Sequence, residues 1–206
     1  MRYPTRISHL LFILVAACSS GSEQPPVAGT DTTPVAQTPD TSPPASAAPA
    51  PSGCTTTILR GTGLGELRIG ASLASVRSAC RVVRDTTVPG AEGMPARIAF
   101  VEVAGEPVEA EIVADKVWRL SVTSPRFRTT DSLGVGTPLS RLLELRQPRG
   151  MMGEGALYFA SPAHCGLSFR LSESRPLPPS GQNWNAAALR RLPASTRVTE
   201  VLAVGC

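Results

Sequence analysis

The chain has 206 residues with 20 Lys and Arg against 16 Asp and Glu, a net charge of +4 at pH 7, and is 42% hydrophobic and 17% charged. These are the proportions of a globular chain, and the charge is too small to argue for nucleic acid as a partner. The average conceals three unlike parts: a mostly apolar segment over 1–17, a stretch over 19–53 in which 25 of 35 residues are Pro, Ala, Ser or Thr, and the remainder, 54–206. A single domain over 54–206 is therefore expected, carrying 18 basic and 13 acidic residues and only seven aromatics. Its core must be built mainly of Val, Leu, Ile and Ala.

Arg2 and Arg6 precede an apolar run, Leu10 to Ala17, whose eight residues suit the hydrophobic region of a signal peptide and are less than half of a membrane-spanning helix. A signal peptide over 1–17 is predicted. The run ends Val15-Ala16-Ala17-Cys18, followed by Ser19 and Ser20, and this resembles the lipobox of bacterial lipoproteins. An ordinary secretory cleavage after Ala17 is the other reading. The resemblance implies cleavage before Cys18, lipidation of its thiol and acylation of the new amino terminus. With Ser19 next, it also implies a place in the cell envelope, on the periplasmic face of the outer membrane. The membrane is then a partner through the anchor: at roughly 0.8 kcal/mol per buried methylene, several acyl chains hold a protein stably.

After the cysteine, residues 19–53 contain eight prolines, no Lys or Arg and no aromatic residue. Such a stretch cannot bury enough surface to offset the entropy of ordering. With Cys18 it predicts a disordered tether over 18–53, spanning roughly 30 to 35 Å as a coil and about 110 Å as extended polyproline II. An O-glycosylated stalk is the second reading of this composition.

Four cysteines remain, Cys54, Cys80, Cys165 and Cys206, and an even number in an exported domain predicts disulfides. Of three connectivities, the strand order below favours Cys54 with Cys80 and Cys165 with Cys206. The loops closed, of 27 and 42 residues, correspond to roughly 3.5 to 4 kcal/mol each on the chain-entropy model. His164 precedes Cys165 and is the only histidine after the signal segment, but no metal-ligand spacing accompanies it. Neither a metal nor a cofactor is expected.

Internal repetition is the most informative feature of the domain. Gly65 to Val76 aligns with Asp131 to Leu142 at a constant offset of 66, with Leu67, Ile69, Gly70, Leu73 and Val76 answered by Leu133, Val135, Gly136, Leu139 and Leu142. Each copy reads as a short strand, a glycine turn, an N-cap (Ser72; Thr137 with Pro138 in the first helical position) and a short helix. Leu73, Val76 and Ala79 or Cys80 form one helical face, and Leu139, Leu142, Leu143 and Leu145 the other. Strands follow by period two. Ala99, Val101 and Val103 make one, Val108, Ala110 and Ile112 a second after a Gly105-Glu106-Pro107 turn, and Trp118, Leu120 and Val122 a third. The second copy offers Leu157 to Ala160, then Cys165 to Leu171, then Arg197 to Gly205, with an insertion over 172–196 that ends in a helix from about Asn183 to Arg191. Val117 to Val122 matches Val198 to Ala203 at an offset of 81.

Pairing the last two strands sets Cys165 beside Cys206, although Cys206 then has the parity of Leu202 rather than of Val201 and Ala203. A bulge, or a strand buried on both faces, would resolve that conflict. The expected fold is a two-layer α+β domain of two helix-plus-antiparallel-meander repeats, about 61–124 and 125–206, forming one sheet with helices on one face. The Gly-x-[Ser/Pro]-Leu-x-x-[Val/Leu] helix start followed by a meander resembles the fold of the β-lactamase-inhibitor protein and of the small outer-membrane-assembly lipoproteins. This resemblance implies an interaction module and carries over no catalytic residue.

Residue chemistry points the same way. A nucleophilic triad needs a base, and His164 is the sole candidate. Gly61, Gly63 and Gly65 lack phosphate-loop spacing and read as a flexible lead-in. Glu102, Glu109 and Glu111 fall on the outward parity of a hairpin, with Arg119 as neighbour and Glu106 in its turn. Arg126, Arg128, Arg141, Arg146 and Arg149 concentrate in the join between repeats and in the second helix. Of these Arg126, Arg128, Arg146 and Arg149 are the candidate patch for an anionic envelope polymer or an envelope protein. An arginine preference also accounts for them, since 19 arginines accompany the single Lys116. The expected function is that of a non-enzymatic, membrane-tethered envelope lipoprotein, with an inhibitor or sensor of an exported enzyme as the alternative.

Overall fold

Alternating residues become two faces of one large antiparallel sheet in the computed structural model of the chain, which describes residues 53–90, 94–173 and 183–206. The expected signal peptide, Cys18 and the tether up to Ser52 lie outside the described residues, as does the Pro-rich start of the insertion. A two-stranded hairpin, β1 (Gly63–Leu64) and β2 (Leu67–Arg68), leads into helix α1 (Leu73–Ala79). Strands β3 (Arg81–Pro89), β4 (Pro95–Val103), β5 (Glu106–Val113) and β6 (Lys116–Val122) follow. Then come α2 (Leu139–Leu142), β7 (Arg149–Gly153), β8 (Ala156–Ala160), β9 (Leu167–Leu171), β10 (Asn183–Trp184), α3 (Ala186–Leu189) and β11 (Val198–Ala203). The sheet has nine strands in the order β10-β7-β8-β9-β11-β6-β5-β4-β3. At its centre β11 pairs with β6, Val201 opposite Val122.

Most strand residues expected to face inward do so: Ala99, Val101, Val103, Val108, Ala110, Ile112, Leu120, Val122, Phe169 and Ala203 belong to one buried cluster with Leu73, Val76, Leu139 and Leu142 from the helices. Trp118 does not: a register shift between Glu111 and Ile112 in the β5–β6 pairing turns Val117 into the core and leaves Trp118 62% exposed. Phe127, Phe159 and Phe169 are the largest side chains wholly shut from solvent. A core of this aliphatic kind is stabilised mainly by burial, at about 25 cal/mol per Å² of apolar surface.

Four strands, β1, β3, β7 and β10, were not foreseen, and the short strand expected before α2 does not form over 131–136. β3 has no two-residue rhythm because it is the outer edge of the sheet, with most of its residues exposed. β7 is obscured by Gly150, whose missing side chain makes room for its neighbours: a Cβ there would stand 3.0 Å from both Leu189 and Trp184. Two local expectations also change. Ser72 caps α1 by accepting from the Ser75 N–H at 3.1 Å, whereas Thr137 does not cap α2; its hydroxyl instead accepts from the Gly134 N–H at 3.0 Å. The second helix is only four residues long, so Leu143 and Leu145 pack from the turn beyond it. The helix expected over 183–191 is likewise shorter, α3 being preceded by the two-residue strand β10.

The connections into α1 and α2 are held by matching backbone bonds. Gly70 donates to Val117 O and Gly136 to Val198 O; Leu73 donates to Asp115 O and Leu139 to Thr196 O; Ala71 O accepts from Val117 and Thr137 O from Val198. Every one of these partners is related by the offsets 66 and 81 seen in the sequence. Gly70 and Gly136 share a positive φ, +83° and +87°, which favours glycine at both turns.

Gly61 needs its missing side chain for a different reason. A Cβ there would stand 1.9 Å from the Cys165 carbonyl oxygen, and its own carbonyl accepts from Gly205 at 3.0 Å. The lead-in is thus pinned: Cys54 O accepts from Ala104, Leu59 donates to Arg128 O, and Arg128 donates to Thr57 O. The expectation of a flexible lead-in is corrected by these close backbone contacts.

Candidate interaction face and thiol pair

The cysteines fall into two unlike pairs. Cys54 and Cys80 form a buried disulfide with Cα atoms 5.2 Å apart, joining the lead-in to the end of α1. Cys165 and Cys206 are exposed free thiols, so the second expected bond is not closed, although the expected adjacency is present. Hydrogen bonding with Cys165, aided by partial burial, pushes the Cys206 thiol above its ordinary value. The parity conflict disappears because β11 ends at Ala203 and Gly205 turns the chain with φ +83°, so strand alternation does not reach Cys206. A bulge between Val198 and Glu200 also shifts the register of β11.

Beside this pair, His164 Nε2 lies 3.1 Å from Asp131 Oδ2, with its ring edge-on to Phe169. Burial raises the Asp131 carboxyl, but the Thr129 hydroxyl, donating at 2.6 Å, and the neighbouring His164 outweigh it and hold the group below its usual range. No cluster of three or more metal-ligating side chains occurs among the described residues.

The four candidate arginines do not form one patch. Arg126 lies 3.7 Å from Glu106 at the β4–β5 turn. Arg128 is half-buried and faces its own segment: its Nε donates to Pro125 O at 2.9 Å and a terminal nitrogen to Thr137 Oγ1 at 3.3 Å. Arg146 lines a pocket of about 280 Å³ with Gln147, Pro162 and Ala163, near Arg149 at the start of β7. Four strands separate β5 from β7. The clustering in sequence disperses because the segment after β6 crosses from the β4–β5 turn to the far side of the domain. Arg128→Gln is therefore expected to destabilise the domain by about 1 to 2 kcal/mol through lost hydrogen bonds. Arg146→Gln and Arg149→Gln should each stay within about 0.5 kcal/mol, and urea unfolding of the three variants checks this.

The face of the sheet opposite the helices carries a larger arrangement. Arg119 binds Glu111 at 2.9 Å and also Glu154 of the β7–β8 turn. Glu200 accepts from Ser121 and from Arg170, the latter at 3.1 Å. Arg84 stacks on the Phe100 ring at 3.9 Å, and Arg81 pairs with Glu102 at 3.1 Å. Reaching Glu154 from β6 requires the sheet to coil, and under this bridge Tyr158, Ala156 and Leu202 form a second, small apolar cluster. Burial first, and then the charges of Glu154 and Glu200, push the Tyr158 phenol upward. Met151, opposite Tyr158 in the ladder, is 45% exposed beside it. Of the carboxylates expected to face solvent, Glu102 and Glu111 do so as members of ion pairs, and Glu109 is exposed. Tyr158 and Leu202 were missed as members of this face, although the parity of Leu202 was the signal for it.

No helix among the described residues is long and apolar enough to cross a membrane. No protein-family model and no curated protein matches the chain. The fold is similar to that of the uncharacterized protein yfeY from Escherichia coli. The match to that solved structure has a TM-score of 0.51 at 15% identity and covers 71% of this chain and 99% of that one. At such identity the likeness concerns the fold alone.

Proposed function

We propose that this chain is a lipid-anchored envelope protein whose domain is a non-enzymatic interaction module, docking a partner on the uncovered face of its sheet. The observation that carries the reading is that face. Met151, 45% exposed, is its open apolar member, backed by the buried Tyr158 and Leu202 and ringed by Arg119, Arg170 and their carboxylate partners, an apolar contact inside a polar rim. Anchoring rests on Arg2, Arg6, the short apolar run and the lipobox-like residues ending at Cys18. Arg146 and Arg149, three residues apart and both exposed, give the module a contact for an anionic envelope polymer.

We further infer that the domain is a tandem repeat of a helix followed by an antiparallel meander. The paired backbone bonds at offsets 66 and 81 support it, as does the β11–β6 pairing, which joins the last strand of each half. The inhibitor or sensor reading is favoured by Trp118, 62% exposed just after the β5–β6 turn, where Val113 is 51% exposed.

Cell fractionation tests the anchor: Cys18→Ala should leave the membrane fraction and remain folded, and a variant that still sediments with membranes after high-salt washing contradicts lipidation. The face is tested by a crosslinking pull-down from intact envelopes with Met151→Arg. The reading expects the partner captured by the wild-type domain to be lost, while the melting temperature stays unchanged.

A further inference from the structure

We propose that Cys165 and Cys206 form a surface thiol–disulfide exchange site, oxidised by a disulfide-bearing partner and reduced by a dithiol, while the Cys54–Cys80 bond stays closed. Where the chain resides does not enter the argument, so this inference and the reading above stand or fall separately.

The contrast between the two pairs comes first. Cys54 and Cys80 are 8% and 1% exposed, roofed by the core, whereas Cys165 and Cys206 are both exposed and within hydrogen-bonding reach of one another. Exchange requires a thiolate to approach a sulfur in line, so an exposed pair reacts and a buried one does not. Close backbone approach then sets the pair in place. A Cβ on Gly166 would stand 2.8 Å from Gly205 and 3.0 Å from the Gly61 Cα, so three side-chain-free residues bring the start of β9 against the chain beyond β11. No bulky side chain at these three positions blocks the sulfurs. Finally, only two backbone bonds hold residues 204–205 to the rest, Val204 N–H to Gly166 O at 2.9 Å and Gly205 N–H to Gly61 O at 3.0 Å. The segment can adjust between the two states while Ala203, wholly buried, stays in the core.

In the oxidising direction the Cys165 thiolate attacks one sulfur of the partner's disulfide, whose S–S bond breaks, and one partner thiolate leaves. Cys165 precedes the fixed strand β9, whereas Cys206 follows the segment held by those two backbone bonds, which assigns the first attack to Cys165 and the resolving step to the more movable Cys206. Once deprotonated, Cys206 attacks Cys165 Sγ; the intramolecular bond forms, the mixed disulfide breaks and the second partner thiolate leaves. Two electrons pass to the partner, and the two protons lost by the cysteines balance those taken up by its two thiols. Reduction by a dithiol runs these steps in reverse.

Equilibrating the full chain in glutathione buffers of graded ratio, followed by differential alkylation and mass spectrometry, reads each pair separately. The expected result is that Cys165–Cys206 closes in the oxidised buffers and opens at a reductant-to-oxidant ratio at least about tenfold below that which opens Cys54–Cys80. A smaller separation, the reverse order, or a Cys165–Cys206 pair that never closes overturns the proposal. In a second arm, Cys206→Ser treated with oxidised glutathione should accumulate a mixed disulfide at Cys165 that the wild type does not retain. Its absence, or equal retention in both proteins, overturns it as well.

Discussion

Phe169→Ala is expected to destabilise the domain by about 3 to 5 kcal/mol, the largest effect of any single side chain considered. Phe169 lies directly opposite Phe159 in the β8–β9 ladder; both are wholly buried, and their rings meet edge to face with centroids 6.3 Å apart. Removing one ring forfeits its burial, leaves a cavity against the other and strips His164 of the surface it packs on. With few aromatics in the core and aliphatic neighbours that relax only partly, little collapses into the space. At about 2 to 4 °C per kcal/mol for a domain of this size, the melting temperature should fall by roughly 10 °C. Val83→Ala at the exposed edge strand is the control and should change it by less than about 2 °C, and thermal unfolding followed by circular dichroism compares the two.

The second large effect belongs to the buried disulfide. Replacing Cys54 and Cys80 together by Ser should cost about 3.5 kcal/mol, the loop entropy regained by the unfolded chain when a 27-residue ring is opened. Polar hydroxyls left in a buried site add to that. The bond does more than shorten a loop: Cys54 O accepts from Ala104, so opening it also loosens the lead-in from the β4–β5 turn. Equilibrium denaturation should therefore show a lower midpoint, and amide exchange should report faster opening at Leu59 than at Leu120. Equal stability of the double variant and the wild type would show that the lead-in is held by its backbone bonds alone.

The elements most legible in the sequence were those whose residues face one buried side. β4, β5 and β9 alternate cleanly because their inward residues touch the core and their outward ones meet solvent, whereas β6 does so only from Leu120 on, its register shift having turned Trp118 outward; the glycine turns before α1 and α2 stand out because both have a positive φ. β3 was illegible because an edge strand with most residues exposed carries no such rhythm, and β7 because Gly150 and Gly153 serve packing and turn geometry instead of propensity. Among the candidate sites, the Cys54–Cys80 pairing and the nearness of Cys165 to Cys206 followed from strand order. The arginine cluster did not survive, since nearness along a chain that crosses the domain is not nearness in space: Arg126 and Arg149 end at opposite sides. The open face was hidden for a related reason. Its members, Met151, Tyr158, Glu111, Arg119, Glu200 and Leu202, come from five strands with two register shifts among them, and only the order of the sheet collects them.

The most direct test of the account places a photoreactive residue at Met151 or Glu109, on the uncovered face, and at Ser75 or Ser140, on the helices, in chains anchored in intact envelopes. All four positions are exposed, so differences in yield report contact and not access. An interaction module that docks through its sheet predicts discrete adducts from Met151 and Glu109 and none from Ser75 and Ser140. Adducts confined to the helix positions, equal labelling from all four, or none from any would contradict it.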